Sequence, residues 1–146
     1  MNSKVCSAVA VIGVMFAVVP PSITGQSSTC SRSLAIAAED AVDRLKTWDD
    51  FYRTFQRFSG CDDGSIAEGW NDFVARTLAQ QWNRLGDLQR LADKDQRFRT
   101  FVLKHIGLSA SGADLDKAAL NARERCPARA RTLCDEIIKA VEGLGQ

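Results

Sequence analysis

No charge of either sign dominates this chain: 19 Lys and Arg stand against 18 Asp and Glu over 146 residues. With no sequence-wide field to draw it to phosphate backbones, a general nucleic-acid binder is not expected and any partner must be recognised locally. Histidine occurs once, as His105, and neither GxSxG nor HExxH is written anywhere. The familiar hydrolase and metalloprotease signatures are therefore missing. No CxxC doublet supplies a zinc spacing, so no metal and no cofactor is implied. The apolar run Val5–Pro20 has 16 residues, short of the roughly 20 that a helix needs to cross a bilayer. A permanent membrane anchor is not expected.

That run has another use. Lys4 gives it a basic start, and Pro20, Pro21, Ser22 and Gly25 supply the helix break and small residues that precede cleavage. Residues 1–25 read as a secretory signal peptide, leaving 26–146 as the mature domain. Ser27, Ser28 and Thr29 before Cys30 are not the apolar and small residues of a lipoprotein signal. The mature part keeps four cysteines, Cys30, Cys61, Cys126 and Cys134. An even count in an exported chain reads as two disulfides formed in an oxidising compartment, with three pairings possible.

Apolar residues recur at three and four along almost every mature segment, the helical period, and strands have little support. Leu34, Ala37, Ala38, Ala41 and Leu45 form a narrow face of mostly small residues that lets a neighbouring helix come close. Thr47 is placed to cap a second helix with the aromatic stripe Trp48, Phe51, Tyr52, Phe55 and Phe58, ended by Gly60. A third helix, expected to be central, opens after Cys61-Asp62-Asp63-Gly64 and carries Ile66, Trp70, Phe73, Val74 and Leu78, drifting to Trp82. Gly69 inside it costs about 1 kcal/mol against Ala, a sign of close helix approach. Gly60 and Gly64 permit a tight, left-handed turn around Cys61. Leu85, Leu88 and Leu91 mark a short helix; Asp93 or Asp95 caps the next, with Phe98, Phe101, Val102 and His105 on one side and Gly107 closing it. Ser111 and Asp114 resemble a capping pair ahead of Leu115, Ala118, Ala119 and Ala122. Pro127 breaks that segment, and a last helix carries Leu133, Ile137 and Val141. With no internal repeat and no dividing linker, the expectation is one compact all-α domain, a disulfide-stapled bundle of about six to seven helices.

Chemistry is scarce on these helices. His105 shares a stripe with Phe98, Phe101 and Val102 and reads as a packed histidine with local partners. Asp62, Asp63 and Glu68 form the best acidic cluster, but carboxylates at a helix start also answer free N–H groups, worth roughly 0.5–2 kcal/mol. Residues 26–75 hold five basic and nine acidic side chains, and 76–146 hold 13 and nine. This polarity suits either complementary faces within one bundle or association, with a second copy of the chain or with a polarised partner.

The stretch Cys-Asp-Asp-Gly-Ser-Ile-Ala-Glu-Gly at 61–69, the pair His105-Ile106 after Phe98 and Phe101, and Cys126-Pro127 followed by Leu133-Cys134-Asp135 resemble the periplasmic amidase-immunity proteins of type VI secretion, the Tai group. The likeness runs over most of residues 30–141. It implies a small all-α homodimer, without chemistry of its own, that binds a secreted peptidoglycan amidase effector and blocks its Cys-His active site with a protruding loop. The rival readings are a lysozyme-type inhibitor or other periplasmic binding module, and a glycan-cleaving enzyme using Glu68 or an Asp.

Of the three disulfide pairings, Cys30 with Cys61 and Cys126 with Cys134 are favoured. The second carries a condition. A continuous helix would hold those Cα atoms about 12 Å apart, beyond the roughly 7 Å that a bridge spans, so 127–131 must fold back. Two loops suit an inhibitor. Residues 107–112 offer Leu108 as an apolar anchor with Ser109 and Ser111 as hydrogen-bonding groups, although Ser111 is equally placed as a cap. Residues 62–65, held by Cys61, offer Asp62 and Asp63 to a histidinium, although both are equally placed to cap the third helix. The first loop is favoured slightly, because its polar residues exceed what a minimal connection requires.

Overall fold

The computed structural model describes residues 30–145; the expected signal peptide lies outside the described residues. Seven α-helices and no strand occur among them: α1 (Arg32–Asp43), α2 (Trp48–Phe58), α3 (Gly64–Gln80), α4 (Leu85–Lys94), α5 (Gln96–Lys104), α6 (Gly112–Glu124) and α7 (Arg131–Gly143). Short 3₁₀ turns at Ser59–Cys61, Trp82–Arg84 and Ala128–Ala130 join α2 to α3, α3 to α4 and α6 to α7. None of these helices is long and apolar enough to cross a membrane.

The boundaries follow local chemistry. Thr47 caps α2 in a full capping box: Asp50 N–H donates to its hydroxyl, and the Thr47 N–H and hydroxyl donate to the Asp50 carboxylate. The hydroxyl contact holds the Asp50 carboxyl below its usual range. Asp95, rather than Asp93, caps α5 by accepting from the N–H groups of Arg97 and Phe98. Two details differ from the sequence reading. Among the described residues only Gly64 takes a left-handed conformation, at φ 52°, because the chain leaves α2 through a 3₁₀ turn that needs no such residue at Gly60. Trp82 stands outside α3, in the following turn, where burial of its ring and donation from Nε1 to the Arg125 carbonyl (2.9 Å) hold it.

α3 lies between α1 and α6, α7 packs on α6 and α5, and α2 packs on α1 and α4. The small-residue signals mark the close approaches. A Cβ at Gly69 would collide with Val42 Cγ1, so α1 and α3 meet at that glycine. At the centre, the Phe51 ring stacks on Phe73 (5.1 Å) and meets Trp70 edge-on (4.9 Å), with Phe98 and Phe101 completing the cluster. Burying such rings removes 150–250 Å² each from water, the largest single contributions a core of this size contains.

Both favoured disulfides are present, Cys30–Cys61 and Cys126–Cys134. The fold-back condition on the second is met, since α6 stops at Glu124, Pro127 turns the chain, and the Cα atoms sit 6.2 Å apart. Bridges of this kind persist in oxidising compartments.

Candidate functional site

The two loops singled out from sequence are brought together by the end of α5. That helix delivers Lys104 and, at its C-cap, His105. The Lys104 ammonium pairs with Asp62 Oδ2. His105 is 2% exposed and lies between the loops. On one side its Nε2 lies 3.2 Å from Asp62 Oδ1; on the other, its Nδ1 lies 2.7 Å from Asn71 Oδ1. Asn71, on α3, then donates from Nδ2 to the Ser109 hydroxyl at 2.6 Å. A chain of polar contacts thus runs from Asp62 through His105 and Asn71 to Ser109.

With Asn71 donating to Ser109, its Oδ1 accepts, so the imidazole carries its proton on Nδ1. Nε2 then faces the Asp62 carboxylate with a lone pair, and neither atom completes a hydrogen bond. Doubly protonated, the ring would answer both neighbours. Burial opposes this more strongly than Asp62 favours it, with Lys104 adding to the opposition, and the ring is pushed down to about 4. At neutral pH His105 is therefore uncharged, packed 4.3 Å from Phe101 and 6.2 Å from Trp70 between ring centroids. The Trp70 indole N–H, also buried, has no acceptor.

These contacts orient the loop and do not activate the serine, because the Ser109 hydroxyl meets an amide and no base. Gly107 admits the arrangement: a Cβ there would stand 2.8 Å from Asn71 Nδ2. Ala110 is buried, while Leu108 between these anchors is 76% exposed, more than any other large apolar side chain described. Ser111 caps α6, with Asp114 N–H 3.5 Å from its hydroxyl. Of the acidic pair, Asp63 caps α3 by accepting from Gly64 N–H, and Asp62 is spent inside the molecule on Lys104 and His105. Asp62 does face a histidine, but it is the chain's own.

Beside the acidic turn, a cleft of about 500 Å³ opens between α1 and residues 60–66, lined by Ile36, Glu39 and the Cys30–Cys61 bridge. Ser65 closes one side by donating to Glu39 Oε1 at 2.9 Å. No group of three or more His, Cys, Asp or Glu among the described residues is arranged to hold a metal ion. Sequence reasoning missed Asn71 and Lys104. Gly107 signals that something packs against the chain there, but the neighbour lies 36 positions away, at Asn71, and no local pattern names it. Compared with known proteins, the chain matches no family model, no curated protein and no solved structure.

Proposed function

We propose that this chain is a periplasmic immunity protein that binds a secreted peptidoglycan amidase and occludes its active site, acting without chemistry of its own. The supporting observation is the loop that follows α5. Leu108 stands exposed on a segment fixed on both sides, before it by burial of His105 and Ile106 and after it by the Asn71–Ser109 hydrogen bond and burial of Ala110. An apolar side chain on a pre-ordered projection suits an inhibitor, because little conformational entropy remains to be lost on docking. Asp62 is engaged internally, so the 107–112 loop leads and the acidic turn supports it from behind. The two disulfides fit an oxidising compartment, and the Tai-group resemblance supplies the amidase as target and a homodimer as the working form.

The test takes exported cysteine amidases encoded beside this chain, purifies each, and follows release of peptide from peptidoglycan with increasing amounts of the mature protein. Inhibition saturating at equimolar ratio is expected for one of them. Leu108→Asp should weaken it at least about tenfold, the loss of roughly 1.4 kcal/mol or more at a central apolar contact, with unchanged helical circular dichroism. Failure to inhibit any of these amidases overturns the reading. Light scattering at the mass of one chain removes the homodimer from it.

A further inference from the structure

The basic excess of the second half is concentrated in one place. Between the last turn of α6 and the start of α7, nine residues carry Arg123, Arg125, Arg129 and Arg131 against the single carboxylate of Glu124. Arg123 is answered by Glu142 at 2.8 Å, and Arg125 donates to the Asn121 side chain at 3.3 Å. Among the described residues, Arg125, Arg129 and Arg131 make no ion pair, and all three are exposed. Elsewhere Arg44, Arg53, Arg76, Arg84 and Arg90 each hold an aspartate, and the exposed Arg32, Arg57 and Arg97, which hold none among the described residues, stand singly along the sequence.

This turn is also rigid. The Cys126–Cys134 bridge closes it, Ala130 is buried beneath it, and the Trp82 indole fixes the Arg125 carbonyl. Its side chains border two recesses. One, of about 540 Å³, lies between α4 and the turn and is lined by Arg90, Pro127, Arg129 and Ala130 together with Gln89 and the carboxylate of Asp93. The other, of about 300 Å³, places Arg131 beside Ile138, the bridge and Asp135. One buried oxygen of Gln89, its side-chain carbonyl, has no hydrogen-bond donor. α7 begins with neither a side-chain cap nor an acidic residue in its first turn, so the positive end of its dipole adds to the guanidinium field.

We infer that the disulfide-pinned turn at 123–131 is a docking surface for an acidic segment of a partner protein. Charge complementarity selects the sign, and the planar fork of arginine matches carboxylates in pairs. The recesses select a polypeptide over a lipid surface: they accept side chains flanking the carboxylates, and the turn has no large apolar residue to insert into a bilayer. The bridge and the buried Ala130 fix the backbone from which the arginines project, so the turn itself need not be ordered when the partner arrives. This surface is independent of Leu108 and of the amidase reading.

The experiment uses the mature protein and a fluorescein-labelled decaglutamate peptide, with binding followed by anisotropy at low and physiological salt. Saturable binding that weakens with salt is expected. Arg129→Glu with Arg131→Glu should weaken it about tenfold or more, whereas Arg32→Glu with Arg57→Glu, the same change in net charge at exposed arginines elsewhere, should leave it within about twofold. Glutamate at the start of α7 suits the helix dipole, so the first variant keeps its fold, checked by circular dichroism. Equal loss in the two variants would show attraction to overall charge and overturn the assignment. Binding to phosphatidylglycerol vesicles without binding to the peptide would overturn it in favour of a membrane surface.

Discussion

The two disulfides hold opposite kinds of ground. Cys30–Cys61 secures an acidic turn whose carboxylates are spent inward: Asp62 on Lys104 and His105, and Asp63 on the first N–H of α3. Cys126–Cys134 secures a basic turn in which Arg125, Arg129 and Arg131 are exposed and, among the described residues, meet no carboxylate. The first bridge closes a separation of 31 residues and the second only eight. A long closure restrains many unfolded conformations and belongs to stability; a short one restrains few and is better placed to stiffen a local surface. One end of the molecule is finished within the fold, and the other presents charge to something else.

The sharpest way to break this contrast is to remove the bridges one at a time. On loop-closure entropy, Cys30→Ser with Cys61→Ser is expected to cost about 4 kcal/mol and Cys126→Ser with Cys134→Ser about 2.5 kcal/mol, read from urea midpoints under non-reducing conditions. Equal losses would show that closure length is not what separates them.

Titration distinguishes the two ends by other means. His105 is pushed down to about 4 in the fold, against about 6.5 in an unfolded chain. Between these values the unfolded chain binds a proton that the native ring refuses, so stability is fully present above about pH 6.5 and falls with pH, by up to about 3 kcal/mol at pH 4. His105→Asn should flatten that part of a stability–pH profile. Opening Cys30–Cys61, which admits water to Asp62 and the ring, should narrow the window. Opening Cys126–Cys134 should leave it alone, and an unchanged window in both cases would detach His105 from the acidic turn.

Glycine substitutions give a smaller effect of opposite sign at the two places. Gly69→Ala drives a methyl into Val42 and is expected to destabilise by about 1–3 kcal/mol. Gly86→Ala, in α4 at the edge of the arginine-lined recess with open space around it, should stabilise by up to about 1 kcal/mol through helix propensity. Both are read from thermal or urea unfolding. Last in size, Arg129→Glu with Arg131→Glu should move stability by no more than about 0.5 kcal/mol, which would confirm that the basic turn contributes little to the fold.

Much of the architecture was legible because its signals are local. The apolar period marked all seven helices, Thr47 and Ser111 announced their caps, and pairing Cys126 with Cys134 required a fold-back for which Pro127 supplied the break. Gly69 pointed to a close approach without naming Val42. The site was legible only in pieces, because its joints are long-range: Asn71 reaches His105 across 34 positions and Ser109 across 38. A packed histidine on an apolar stripe was visible, but a carboxylate 43 positions earlier that is turned toward it was not. The charge skew between the halves was countable, but its concentration in one rigid turn depends on which arginines other helices neutralise.

The indole of Trp70 is sealed in the core 6.2 Å from the imidazole. Protonated imidazole quenches indole emission and the neutral ring does so far less, so the protein contains an optical gauge of its own interior. Trp48 and Trp82 are buried as well, so a dimming of tryptophan light on acidification that precedes any change in helicity and is absent from His105→Asn would register the arrival of one proton at His105.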